Sequence, residues 1–182
     1  MATIAPSRPT VLAAVKALAV RASRWQTSPM VSIRAATRDD FLAIERFARL
    51  ASRSNPTRYF EHWGRWGDFG VIAEADGPPC GAAWARLFAW KDVRDPCGSS
   101  EYPELAIAVD AVHRGRGVGT ALLRELLAEA GQLGYPALDL MVDTANLAAM
   151  AVYTKLGFKK IGGDARLWMR ATLRDSGACC QS

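Results

Sequence analysis

Three glycines in five positions mark the turn His113-Arg114-Gly115-Arg116-Gly117-Val118-Gly119-Thr120, and what flanks that turn constrains the fold more than any other feature. Before it, Leu105, Ile107 and Val109 alternate with Ala106 and Ala108, the two-residue period of an extended strand. After it, Leu122, Leu123, Leu126, Leu127 and Ala130 recur at helical spacing until Gly134 and Pro136 stop the pattern. A second strand follows over residues 137–142, with Leu138, Leu140 and Val142 on one side, and then a further helix over about 146–156. Strand, helix and strand in that order predict a right-handed crossover with parallel strands, hence an α/β architecture.

Glycines between a strand and a helix N-terminus let the backbone come close to an anion, and the unpaired amide N–H groups and positive helix end attract it. The ligand implied is a pyrophosphate. A nucleoside-triphosphate loop needs Gly-Lys followed by Ser or Thr, and no Lys stands in this turn. A dinucleotide fingerprint starting at Gly115 needs glycine at the position of Thr120. Both of those sites are excluded by residue identity.

The rest of the chain is readable in outline. Residues 31–34 predict a short strand. Thr37 and Asp40 have the spacing of a capping box, with Asp in the usual place of Glu, and Phe41, Ile44, Phe47 and Leu50 then recur at helical spacing. Residues 52–68 are aromatic and irregular, with Tyr59, Phe60, Trp63 and Trp66 among Arg58 and Arg65. Residues 71–74 and 82–88 flank the turn signal Asp76-Gly77-Pro78-Pro79 as an antiparallel hairpin, followed by a polar loop through 95–100. Trp84, Arg86, Phe88 and Trp90 have the spacing of one strand face, which fits a ligand-site wall and a core strand equally well, and Trp63 and Trp66 carry the same ambiguity. Residues 166–173 close the sheet.

Composition narrows the classes. In 182 residues, half of them hydrophobic, there is enough apolar material for one ordinary domain core, and no repeat is visible. Four of the five excess positive charges fall in residues 1–29, as Arg8, Lys16, Arg21 and Arg24 without a single acid. No basic face is left to read in the remainder, so nucleic acid is not an expected partner. That extension reads as disordered or as residues added by a start ahead of Met30, with a transit-like leader or a poor secretory signal, its apolar stretch broken by Lys16, as the alternatives. The run from 11 to 20 is broken by Lys16 and is half the length a bilayer requires, so no membrane association is expected. With only His62 and His113, and with Cys80, Cys97, Cys179 and Cys180 lacking C-x-x-C spacing, no metal site is expected. Free thiols suit a reducing cytoplasm.

Arg114, Gly117 and Gly119 match the acyl-CoA loop of the GCN5-related N-acetyltransferases, which runs Gln or Arg, two residues, Gly, one residue, then Gly or Ala. The context matches as well, with Ile107-Ala108-Val109 before the loop and Asn146, Tyr153 and Leu156-Gly157-Phe158 after it in the family's order. The chain thus resembles that family in detail over 104–160 and in element order over 31–173.

The resemblance implies a mixed, mostly antiparallel sheet, flanked by helices, whose two parallel central strands splay apart to admit acetyl-CoA. The catalytic domain then spans 30–175, with a short tail over 176–182. It implies an acetyl-CoA-dependent N-acetyltransferase acting on a primary amine by direct attack, with no enzyme nucleophile. Ile107, Ala108 and Val109 would pair with the pantetheine arm like an added strand, and a backbone N–H near Val109 would serve the oxyanion. Arg114, Gly115, Arg116, Gly117, Val118, Gly119 and Thr120 would hold the pyrophosphate, and Asn146 the pantetheine. Asn146 and Tyr153 are seven apart, two helical turns, so one rod-like ligand can reach both. Tyr153 would protonate the leaving sulfur, and Glu104 would take the amine proton directly or through water, with Asp110 a nearby competitor. His113 reads as an exposed loop residue. The acceptor, a protein amine or a small molecule, is left open, as are a homodimer and a non-catalytic acyl-CoA-binding domain of the same fold.

Overall fold

The computed structural model describes residues 31–52, 55–89 and 102–173. The extension over 1–29, Trp90, the loop over 95–100 with Cys97, and the tail with Cys179 and Cys180 lie outside the described residues. Strand β1 (Val31–Ala35) leads into the predicted capping box: the Thr37 hydroxyl accepts from the Asp39 N–H at 3.3 Å, and Asp40 Oδ2 accepts from the Thr37 N–H at 2.7 Å. The box closes a single 3-10 turn (Arg38–Asp40) before helix α1 (Phe41–Ala51) takes over. The buried stripe of α1 is Ile44, Phe47 and Ala48, whereas Phe41 and Leu50 are 37% and 50% exposed. The contact line is narrower than the apolar periodicity predicted.

Strands β2 (Asp68–Ala75) and β3 (Pro79–Arg86) form the predicted hairpin, and β2 also pairs antiparallel with β1. β2 begins three residues earlier than its apolar alternation indicates, because Asp68-Phe69-Gly70 are held in register opposite Arg86-Ala85-Trp84. Pairing and an internal ion pair override the poor strand propensity of Asp and Gly. β3 stops at Arg86, short of Phe88.

Strand β4 (Glu104–Val109) pairs antiparallel with β3 along its whole length. Helix α2 (Val118–Leu133) then crosses to β5 (Ala137–Asp143), closing on a left-handed Gly134 whose N–H donates to the carbonyls of Ala130 and Gly131. Leu122, Leu123 and Leu126 of α2 are fully buried, each worth about 1.5–3 kcal/mol relative to exposure. Helix α3 (Leu147–Lys155), a short edge strand β6 (Lys159–Gly162) and β7 (Arg166–Thr172) complete the described chain. The sheet order is β1-β2-β3-β4-β5-β7-β6, mostly antiparallel. α1 covers one face over Ile72, Ala82, Trp84 and Ala108, while α2 lies on the other over Leu105, Leu138 and Leu140.

The parallel pair is the place where the sheet fails to close. β5 keeps seven register pairs with β7 and β4 keeps six with β3, but β4 and β5 share only Glu104↔Asp139. Each strand follows its own antiparallel partner, and a twisted sheet carries the two apart from that point on.

Candidate active site

The open edge of β4 can be read from its hydrogen bonds. The Asp110 N–H donates to Cys80 on β3 at 2.9 Å, so the even-numbered N–H groups of β4 face β3. The odd-numbered groups face β5: the Pro103 carbonyl accepts from the Asp139 N–H at 3.0 Å, and the Val109 carbonyl accepts from Arg114 Nε at 2.9 Å. Beyond Glu104, the N–H and C=O of Ile107 and the N–H of Val109 therefore point into the gap between the strands. Ala108 contributes only its methyl group, to the core beneath α1.

At the mouth of this gap stands the glycine turn. Gly115 and Gly117 hold φ of +70° and +84°, and a Cβ at either would meet no protein atom within 4 Å. Gly117 is the N-cap of α2 and has no side chain to satisfy the N–H groups that follow it. The first turn carries no acid, so the N–H groups of Val118, Gly119 and Thr120 and the helix dipole face outward unopposed. Val118 takes part through its backbone alone, since its side chain is buried in the core. Arg114 and Arg116 are exposed beside the turn, and Arg114 spends its Nε bracing Val109. The donors, the open room and the absence of negative charge fit a pyrophosphate.

A Cβ placed on Gly119 would sit 3.8 Å from Val109 Cγ2 and 3.9 Å from Ile107 Cδ1, ordinary contact distances. Gly119→Asp should therefore fold as well as the parent or gain about 0.3–1 kcal/mol from an acid in the first helical turn. Its affinity for acetyl-CoA should fall at least about tenfold, because a carboxylate then occupies the anion site. Thermal melts and calorimetry check the two halves, and unchanged affinity would remove the turn from the binding site.

Helix α3 carries Tyr153 and is capped by Asn146. Asn146 is the N-cap of α3, with Oδ1 accepting from the Ala149 N–H at 3.2 Å, which leaves its side-chain amide N–H groups turned outward. Tyr153 is 8% exposed, with its ring centroid 5.7 Å from that of Phe158. Burial pushes its phenol up to about 12. Its hydroxyl has no hydrogen-bond partner among the described residues.

Glu104 lies at the vertex of the gap, 5% exposed. Arg58 Nη2 donates to its Oε2 at 2.7 Å, and the Tyr59 hydroxyl makes a short hydrogen bond to its Oε1. Beside it in register, the buried Asp139 is held by Arg170 Nε and Nη2, both at 2.6 Å. Asp110 sits at the other end of β4, about 20 Å along the strand. There Arg46 Nη2 donates to both of its oxygens, at 2.6 and 2.8 Å, away from the vertex where Glu104 lies. His113 is half-buried rather than exposed, with its Nδ1 buried and unpaired among the described residues.

Sequence reasoning did not find Arg58, Tyr59, Asp139 or Arg170. The only signal was the density of Arg and aromatic residues in an aperiodic segment and one acid interrupting the apolar β5. The ambiguity over β3 is resolved in favour of the core. Trp84 and Arg86 are fully buried, Trp84 Nε1 donating to the Tyr59 carbonyl at 2.9 Å and Arg86 pairing with Asp68 at 2.8 Å. The Phe88 ring is covered by the Arg58 guanidinium, 3.9 Å from its centroid.

Parallel strands that part next to a glycine-lined helix N-terminus define an α/β protein with an open strand edge beside a helix end that attracts anions. The sequence matches the acetyltransferase (GNAT) family over residues 31–158, and the chain belongs to that family. It is similar to the N-alpha-acetyltransferase RimI of Mycobacterium tuberculosis, 46% identical over 63 residues that make up 34% of this chain and 37% of that protein. Among solved structures it resembles a ribosomal-protein-alanine N-acetyltransferase from Brucella melitensis (26% identity, TM-score 0.61, 77% of this chain and 98% of that one). The fold is also that of yncA from Salmonella typhimurium, solved with its cofactor acetyl-CoA (21% identity, TM-score 0.63, 82% and 97% covered). The chain spans between 16% and 37% of the length of the first curated relatives it matches. Among the described residues there is no group of three or more potential metal ligands, and no helix long and apolar enough to cross a membrane.

Proposed function

We propose that the protein transfers the acetyl group of acetyl-CoA to a primary amine by direct attack. The observation that carries this reading is the single register pair between β4 and β5, which leaves a strand edge open beside a helix N-terminus. Bound acetyl-CoA supplies a thioester carbonyl as electrophile. The N–H groups of residues 115–120 bind its diphosphate, and the edge groups of Ile107 and Val109 pair with its amides as a neighbouring strand would. The Val109 N–H is the donor placed to meet negative charge on the carbonyl oxygen. Asn146 donates to the pantetheine from its free amide. Glu104 takes the proton that the attacking amine must lose, directly or through water. Tyr153 donates a hydrogen bond to the departing sulfur. Cys80, the one free cysteine among the described residues, is buried in the core with its thiol pushed up by desolvation, which supports a route without an enzyme nucleophile.

The test is calorimetric titration with acetyl-CoA followed by a thiol-release assay over peptides with free N-termini, polyamines and aminoglycosides. Saturable binding and release with at least one acceptor are expected. No binding at millimolar acetyl-CoA overturns the reading. Binding without release on any acceptor replaces it with that of a non-catalytic acyl-CoA-binding domain.

A further inference from the structure

Glu104 is held by two donors that come from outside the sheet. Arg58 and Tyr59 belong to the turn Thr57–Tyr59, and the backbone of that turn is itself pinned: Arg86 Nη1 donates to the Arg58 carbonyl at 2.8 Å and Trp84 Nε1 to the Tyr59 carbonyl at 2.9 Å. The Arg58 guanidinium lies over the Phe88 ring, 3.9 Å from its centroid, and is held on that side as well. With a described donor on each oxygen, the Glu104 carboxyl plane cannot turn without breaking a bond. A guanidinium at 2.7 Å favours the charged form of a carboxylate that burial alone would drive toward the neutral acid.

Among the described residues, the register partners of Glu104 are themselves ion-paired. Arg86, its register partner on β3, is bound to Asp68 through Nε at 2.9 Å and Nη2 at 2.8 Å. Asp139, its register partner on β5, is neutralised by Arg170, which in turn lies 4.0 Å over the Tyr102 ring. Among the described residues, the cation bound directly to Glu104 is the one on the turn that carries Arg58 and Tyr59.

We propose that Arg58 and Tyr59 are positioning residues for Glu104: they keep its carboxylate ionised and fix its plane beside the point where β4 and β5 part. The proposal rests on the reading of Glu104 as the group that takes the amine proton. A carboxyl that is neutral near pH 7 cannot accept that proton, and a carboxylate free to rotate accepts it from too many directions. Neither donor touches the reacting atoms in this scheme; both act through Glu104.

The full chain labelled with carbon-13 at its glutamate side-chain carboxyls, titrated by NMR, tests this without any acceptor. The Glu104 signal is identified by its loss in Glu104→Gln. Arg58→Met should move the Glu104 midpoint upward by about one pH unit or more, and Tyr59→Phe upward by about half a unit. Arg58→Lys should keep the midpoint close to that of the parent, since it restores the charge. If Arg58→Met does not fold by circular dichroism, Tyr59→Phe, which removes one hydroxyl, decides alone. Midpoints unmoved by the substitutions overturn the proposal while leaving the role of Glu104 standing. Thiol release undiminished in Glu104→Gln overturns that role, and the proposal with it.

Discussion

Arg86→Met is expected to lower the unfolding free energy by about 3–5 kcal/mol, because it leaves a buried charge without its partner. Set against a total of about 5–15 kcal/mol for an ordinary domain, that is a large share of the stability. Arg86 is 1% exposed and Asp68 faces it with a fully buried carboxylate. After the substitution Asp68 keeps only the Gly64 N–H at 3.0 Å and the half-exposed Arg65 at 3.6 Å. The carbonyls of Arg58 and Glu61 each lose a donor at 2.8 Å. Adding Asp68→Asn to Arg86→Met should recover part of the loss, since the buried charge is then gone from both sides. Urea denaturation of the parent and the two variants measures these differences. A single variant within about 1 kcal/mol of the parent would mean that the segment over 58–68 is held by its aromatic packing and not by Arg86.

Tyr153→Phe is expected to lower kcat about 10- to 100-fold while leaving the KM for acetyl-CoA near its starting value. The hydroxyl makes no bond to the described residues, and the Phe ring keeps the contact with Phe158, so neither fold nor cofactor affinity depends on it. The size follows from the acidities. A phenol pushed up to about 12 is a far weaker acid than a thiol of about 8.5, and moving its proton fully onto a thiolate costs about 5 kcal/mol. In the proposed reaction Tyr153 would therefore act as a hydrogen-bond donor to developing charge, worth about 1.5–3 kcal/mol, rather than as a source of a free proton. The raised value also fixes the pH behaviour: the neutral phenol persists through and above pH 10, so the loss should be the same at every pH from about 6 to 9. Thiol-release rates over that range check it. An unchanged kcat removes Tyr153 from the chemistry.

The parts of the fold that could be read from the sequence are those whose local signals and tertiary partners agree. The Thr37 and Asp40 box, the glycine turn with its strand and helix, and the stop at Gly134 all appear where residue type alone demands them. β6 escaped notice because its four residues, Lys159 to Gly162, are half-exposed at an edge and carry no apolar alternation. The start of β2 escaped because Asp68 is a poor strand residue until Arg86 faces it. The site divides along the same line. Its cofactor side is built from glycines, backbone groups and a helix end, which a motif can announce. The vertex is built from side chains 40 or more residues apart, Glu104 with Arg58 and Tyr59, which meet only because a buried arginine ties an irregular segment onto the sheet. No local period encodes such a meeting.

The wedge between β4 and β5 has a further consequence for how the chain behaves among other chains. An unpaired strand edge at the rim of a sheet invites a second polypeptide to add on, the first step of aggregation. Here the unpaired groups of Ile107 and Val109 are in the middle of seven strands, with α1 over one face and α2 over the other. An invading strand would have to push side chains into both covered faces, and the gap narrows to a single register pair before it could extend. The same arrangement that leaves hydrogen bonds unmade thus keeps the open edge away from a further polypeptide strand.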